Sequence, residues 1–548
     1  MTKTRSALCE ARMKYQPKLP VALRSGLRKV VVKKGEATQS AADQDRIRGL
    51  FPATYGAPVV TFENGEATNA RPLTVGVVLS GGQAPGGHNV ISGIYDGVKS
   101  ADPKSRVLGF LGGPGGLVDG KFREIDDATM DLYRNSGGFD LIASGRTKLE
   151  SEQQFASCVQ VAKANGLDAI VIIGGDDSNT NAAVLAEYFV AKKVDCVVVG
   201  CPKTIDGDLK NKYIEAPFGF DTAAKTYAAL IGNIARDANS ARKYWHFVKL
   251  MGRSASHIGL EVALLTQPNI CLISEEVEAG QLTLDQVVRA MADVVAARAE
   301  QKKNFGVALI PEGLIEFIPE IKSLIRELND ALVKCEKDVE SAGRVDEKIA
   351  IVSKHLSNKS AEVLSSLPES IAAQLLLDRD PHGNVQVSLI ETEKLLIEMV
   401  GRELKKRPGF KGKFKALNHF FGYEGRCAHP SNFDSDYAYS LGFSAAVLAQ
   451  NRLTGYISAV RHLKDGAENW VAGGVPTSML MNMERRHGED KPVIQKALVD
   501  LKGPAFKVFA DNRDRWAIEE AYLYPGAIQY FGPSEICDAV TETLRLGA

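Results

Sequence analysis

The chain has 548 residues, 45% of them hydrophobic and 24% charged, with 67 Lys and Arg against 67 Asp and Glu. That length calls for two or three folded units rather than one. The balanced charge removes any global pull toward nucleic acid or an anionic membrane, and no apolar stretch approaches the roughly 20 residues a membrane span needs.

The first 34 residues hold ten Lys or Arg against one Glu. Because this bias continues through "PKLP" into what reads as ordered chain, residues 1–70 are expected to be an irregular surface arm rather than a transit peptide. From Leu73 the pattern changes. Short runs rich in Val, Ile and Leu alternate with helix-period segments: "LTVGVVLS", "RVLGFLG", "FDLIAS", "AIVIIGG", "VDCVVVG", "HFVKLMG", "NICLIS" and "FGVALIP". Such runs signal strands of mainly parallel sheets in an α/β fold. We expect two Rossmann-like three-layer domains: residues 71–202, then 203–317 together with 408–475. Between them, residues 318–407 read as an inserted helical lobe. "EIKSLIRELNDALVKCEKDVES" and "VSLIETEKLLIEMVGRELKKR" carry apolar residues at i, i+3 and i+4, and a turn-like "DRDPHGN" separates helical pieces. Residues 476–548 are expected to pack back on the core.

The eight cysteines (Cys9, Cys158, Cys196, Cys201, Cys271, Cys335, Cys427 and Cys537) form no CxxC pair and no zinc-spaced Cys/His cluster. Thiols set in apolar runs point to a reducing, cytoplasmic compartment.

The residues just after each apolar run carry the chemistry. Glycine, charge and hydroxyl gather at the successive strand ends, where open α/β sheets bind their ligands. "SGGQAPGG" (80–87) supplies bare backbone at the mouth of a helix, which suits an anion, although no GK[ST] makes it a Walker A loop. "GGDDSNT" (174–180) places Asp176 and Asp177 in a similar turn. "PKTIDGD" (202–208) sets Lys203, Thr204, Asp206 and Asp208 within a few positions. Phosphoryl transfer to an alcohol needs a carboxylate to accept the hydroxyl proton and cations to screen the moving phosphoryl group, roles open to Asp206, Asp208 and Lys203. Arg253 in "MGR" can grip a phosphate ester, and Glu312 in "PEG" can accept from sugar hydroxyls. With Tyr423 and Arg426 of "GYEGR", these residues outline a sugar phosphate site.

In this order, "GGDDSNTNA", "PKTIDGD", "MGR", "PEG" and "GYEGR" resemble the phosphofructokinase family, in particular its long, pyrophosphate-dependent branch, from about Leu73 to the C-terminus. The resemblance implies reversible Mg²⁺-dependent phosphoryl transfer from pyrophosphate to fructose 6-phosphate in the cytoplasm, as a step of glycolysis. It places Gly81, Gly82, Arg146 and Ser178 at the diphosphate, Asp176 at the metal, and Asp206 as proton acceptor supported by Asp208. It places Thr204, Asp206, Met251, Gly252, Arg253, Glu312, Tyr423 and Arg426 around the sugar phosphate. Lys243 and Tyr244 would reach a neighbouring subunit's site, making a homodimer. Asp177 and Lys203 stand where ATP-using relatives typically have glycine. A carboxylate at 177 would repel the α-phosphate of ATP, and an ammonium at 203 would favour pyrophosphate. The alternatives are an ATP-dependent member and a non-catalytic regulatory subunit.

Overall fold

The computed structural model describes residues 7–67, 69–377, 389–486, 489–528, 534 and 538–547; the "DRDPHGN" segment lies outside them. Its strands in chain order are β1 (Val30–Ala37), β2 (Pro58–Asn64), β3 (Thr74–Leu79), β4 (Arg106–Phe110), β5 (Phe122–Ile125), β6 (Ala169–Gly174), β7 (Val197–Pro202), β8 (Trp245–Leu250), β9 (Ile270–Cys271), β10 (Gly306–Pro311), β11 (Ala416–Phe421), β12 (Tyr456–Arg461), β13 (Val471–Pro476), β14 (Met481–Arg486) and β15 (Glu489–Ile494). A nine-stranded sheet runs β1-β2-β13-β12-β7-β6-β3-β4-β5, a four-stranded sheet runs β11-β8-β10-β9, and β14 and β15 form a hairpin. The four-stranded sheet is parallel throughout. In the larger sheet the block from β12 to β4 is parallel and its flanks are antiparallel.

The strands read as continuous apolar runs because both faces are covered. Alternate residues of β6 divide between two cores: Ala169, Val171 and Ile173 face the main one, while Ile170 and Ile172 join a second one under the helix Asp176–Ala191. β8 and β10 do the same. Val248, Leu250, Val307 and Leu309 enter the main core; Trp245, Phe247, Ala308 and Ile310 enter a core shared with the helical lobe. Among the described residues that lobe contains the helices Pro319–Ser341, Val345–Ser353, Asn358–Ser366, Glu369–Leu377 and Thr392–Lys406.

Several expectations are corrected. The N-terminal arm is not irregular: β1 and β2 extend the large sheet through β13. Their alternation is weak because β1 is an edge strand, exposed over most of its length, so its sequence carries little apolar signal. "FDLIAS" forms no strand. Only Gly145 bridges to Ser80, and β5 holds the edge beside β4. Its apolar residues serve as plugs: the Phe139 ring covers Gly87, and Ile142 covers Gly109. "NICLIS" yields only the two-residue β9. The 408–475 segment is divided between the sheets. β11 joins the smaller one, whereas β12 and β13 return to the larger.

Among the described residues no helix is long and apolar enough to cross a membrane. Cys158, Cys196, Cys201 and Cys335 are buried thiols.

Candidate active site

Sheet register assembles the first half of the site. In the large sheet Leu79 lies beside Ile173, and Ile173 beside Cys201. The turns at these strand ends therefore emerge together: Ser80–Gly82, Gly174–Ser178 and Lys203–Asp208. Gly81 N donates to Gly145 O (2.9 Å), which brings Arg146 alongside, and Ser178 Oγ donates to Ser80 Oγ (2.8 Å). Asn179 secures the turn from behind. Its buried Nδ2 donates to Gly174 O (2.7 Å) and Gly175 O (2.8 Å). It is an asparagine in a first helical turn, and nothing in its spacing marks a role. Gly175 caps the helix that begins at Asp176, so the positive end of a 16-residue helix faces this turn.

The smaller sheet builds the second half. Phe421 and Pro311 both pair with Leu250. Met251–Arg253, Glu312 and Gly422–Arg426 thus share one edge. Gly252 N donates to the buried Glu312 Oε2 (2.9 Å), and burial raises the Glu312 carboxyl above its usual range. Gly313 must be glycine here, since a Cβ would lie 2.0 Å from Arg253 O. Tyr227 OH donates to Gly422 O (2.6 Å) and holds the Tyr423–Arg426 turn.

Arg426 joins the two edges. Its Nε donates to Met251 Sδ (2.9 Å), its Nη1 reaches Gln83 O (3.5 Å), and its Nη2 lies 3.8 Å from Asp206 Oδ1. Gly82 sits at the centre of this arrangement: a Cβ there would lie 2.4 Å from Arg426 Nη1 and 3.7 Å from Arg146 Nη2. Two guanidinium groups flank a bare backbone, an anion cradle with a carboxylate at its rim. Gly82→Ala should leave the melting temperature unchanged, because the displaced group is a flexible tip. As the diphosphate site expected from the sequence, the cradle should then lose about 10- to 100-fold in affinity for pyrophosphate, the worth of a charged hydrogen bond; calorimetric titration checks this.

The electrostatics are set by burial. Lys203 is 5% exposed, and desolvation, with help from Arg426, lowers its pKa to about 8 against the opposing pull of Asp206, Asp176 and Asp208. Asp208, also 5% exposed, is raised to about 7 by burial and by the charges of Asp206 and Asp176. Asp206 Oδ1 is buried and has no hydrogen-bond partner, while its backbone N donates to Thr204 Oγ1 (3.0 Å). A buried carboxylate oxygen left open beside an anion cradle is suited to accept a proton from a bound hydroxyl.

Among the described residues no three His, Cys, Asp or Glu side chains converge as a metal cage. Asp176 still fits a hard divalent ion, since Mg²⁺ is commonly bound by one or two carboxylates with substrate phosphates and water completing the shell. The carboxylate already attracts a cation: Lys496 Nζ lies 3.7 Å from Asp176 Oδ2. Sequence reasoning missed Lys496. It is a lone lysine in "VIQKALVD", and nothing in that spacing marks it.

Of the site residues expected from sequence, all but two lie on these facing edges. Asp177 is exposed in the first turn of its helix, and Tyr423 is 69% exposed at the rim. The exceptions are Lys243 and Tyr244, which precede β8. A strand of that length puts them on the order of 20 Å from Met251, at the opposite end of the sheet.

Residues 74–449 match the family described as Phosphofructokinase. The chain is 55% identical to the pyrophosphate–fructose 6-phosphate 1-phosphotransferase of Treponema pallidum, over 99% of this chain and 97% of that protein. It is 54% identical to the protein of the same name from Porphyromonas gingivalis, over 99% of each. Among solved structures, a pyrophosphate-dependent phosphofructokinase from Marinobacter aquaeolei is similar in fold, with a TM-score of 0.54 at 15% identity, over 82% of this chain and 93% of that one. The paired strand-end edges, the ordered motifs on them and a likeness running the length of the chain agree: it belongs to the phosphofructokinase family.

Proposed function

We propose that this protein reversibly transfers a phosphoryl group from pyrophosphate to the 1-hydroxyl of D-fructose 6-phosphate, giving fructose 1,6-bisphosphate and phosphate, in glycolysis and its reversal. The observation that carries this reading is the Arg426 bridge, which sets a phosphate cradle at Gly82 within reach of the open Asp206 carboxylate. The names of the two bacterial relatives, at more than half identity over nearly the full length, support it.

The diphosphate lies on Gly81, Gly82, Arg146 and Ser178. Fructose 6-phosphate lies opposite, against Thr204, Met251, Gly252, Arg253, Glu312, Tyr423 and Arg426. Asp206 accepts the proton of the attacking hydroxyl, and Asp208 shapes the field around it. Lys203, still charged at neutral pH, stabilises the phosphoryl group in flight. Mg²⁺ held by Asp176 would supply neutralisation of the diphosphate charge. Lys243 and Tyr244, too distant to serve their own chain's site, serve a partner's, so the enzyme is a homodimer. The buried thiols suit a cytoplasmic protein.

The test is a donor assay on the purified protein. Pyrophosphate with Mg²⁺ should support turnover, ATP at the same concentration should not, and excess chelator should abolish the activity. Turnover with ATP alone would overturn the donor assignment, and full activity after complete metal removal would overturn the metal.

A further inference from the structure

The two sheet edges are crossed a second time, by a side chain that belongs to neither sheet. Beyond the β14–β15 hairpin the chain turns back along the cleft and is fastened on both sides of Lys496. Gln495 N donates to Leu480 O (2.9 Å), Ala497 N donates to Asp208 O (2.8 Å), and Ala497 O accepts from His257 Nε2 (3.0 Å). Val499 N then donates to Glu275 Oε1 (3.0 Å). The backbone is thus tied directly to the segment that carries Asp206 and Asp208. From this mount Lys496 Nζ donates to Ser254 Oγ (2.9 Å) and stands 3.7 Å from Asp176 Oδ2. Ser254 comes next to Arg253 on the sugar phosphate side, and Asp176 opens the helix on the diphosphate side. The ammonium therefore occupies the seam between donor and acceptor. Its side chain is 31% exposed, so it is neither a core residue nor a free surface lysine.

An ion pair of this exposure adds little to stability. Stability alone does not account for a backbone fastened at residues on either side of one lysine in order to present it here. We infer that Lys496 is a further phosphate-binding residue of this site: an ammonium parked between Asp176 and Ser254 that turns to the phosphoryl group exchanged between diphosphate and sugar. The inference rests on the reading of pyrophosphate as donor. Lys496 accordingly contributes to binding both pyrophosphate in the forward direction and inorganic phosphate in the reverse, while fructose 6-phosphate, held by Arg253 and Glu312, depends on it little.

The experiment compares the full-length wild type with Lys496→Met, which keeps the length of the side chain, and Lys496→Arg, which keeps its charge. Calorimetry measures the binding of pyrophosphate, without and with Mg²⁺, and of fructose 6-phosphate. Steady-state kinetics measures both directions, and melting temperature reports folding. Lys496→Met should lose about 10- to 100-fold in pyrophosphate affinity, with or without metal, and show a similar rise in KM for phosphate, at an unchanged melting temperature. Its affinity for fructose 6-phosphate should stay within about threefold of wild type, and Lys496→Arg should recover most of the loss. Pyrophosphate binding by Lys496→Met within about twofold of wild type overturns the inference. So does an equal loss for both substrates together with a lowered melting temperature, which would make Lys496 a structural tie. If the wild type itself fails to bind pyrophosphate, the donor reading has failed, a result distinct from either of these.

Discussion

Asp206→Asn should lower kcat by about 10²- to 10⁴-fold while leaving the affinities for pyrophosphate and fructose 6-phosphate within about threefold of wild type. The substitution keeps the size and shape of the side chain and removes its negative charge, and with it the ability to accept a proton. Two features of the site make the loss large. The Oδ1 atom is buried without a hydrogen-bond partner, so its lone pairs are open to the substrate hydroxyl. The same atom lies 3.8 Å from Arg426 Nη2, which also flanks Gly82, so the base is fixed beside the anion cradle. Binding should persist because the groups proposed to face the phosphates are Arg426, Arg146, Lys203 and the bare turn at Gly82, none of which is altered. Rapid-quench turnover beside calorimetric titration separates the two quantities. A kcat within a fewfold of wild type would remove Asp206 from the base role.

Asp177→Gly should move donor preference from pyrophosphate toward ATP. Asp177 is exposed at the mouth of the helix Asp176–Ala191, beside the turn proposed to hold the diphosphate. If an α-phosphate came within about 4 Å, two unit charges would repel by about 4 kcal/mol at an effective dielectric of about 20. That is about a thousandfold in affinity, an upper limit because metal and solvent screen it. The competing account is that Asp177 only favours the helix dipole, an effect of about 0.3–1 kcal/mol. The first effect exceeds the second, and they differ in kind. Loss of a dipole partner, plus about 1 kcal/mol for glycine in a helix, lowers the melting temperature slightly and leaves donor choice alone. Loss of a repelling charge raises kcat/KM for ATP. Measuring kcat/KM for both donors, with the melting temperature alongside, tells the two apart. An ATP rate that stays at background in Asp177→Gly would show that exclusion of nucleotide lies elsewhere, with Lys203 the next residue to test.

Much of the site could be read from local sequence because it is built at strand ends. A Val- and Ile-rich run leading into glycine and acid, as in "AIVIIGGDDSNT", states both the strand and the turn, and the same holds for "PKTIDGD" and "FGVALIPEG". Residues that act through distant contacts left no such trace. "FDLIAS" has a strand's composition and still forms none, because its apolar residues are spent filling the space over Gly87 and Gly109. β1 has little apolar alternation and is a strand all the same, since an edge needs only one neighbour. Lys496 meets Ser254 from 242 positions away, by way of a hairpin whose sequence says nothing about where it returns.

By itself, then, the sequence determined the kinds of groups available for chemistry and their placement at the carboxyl ends of strands, because strand, turn and helix start are decided over a few consecutive residues. Only the tertiary structure decided which ends face each other. The insertion of β12 and β13 between β2 and β7, the reach of Arg426 from Met251 to Asp206, and the separation of Lys243 and Tyr244 from their own chain's site all come from strand order and register. Those are set by which apolar faces can be buried together across the whole chain, a competition among distant segments that no local stretch encodes.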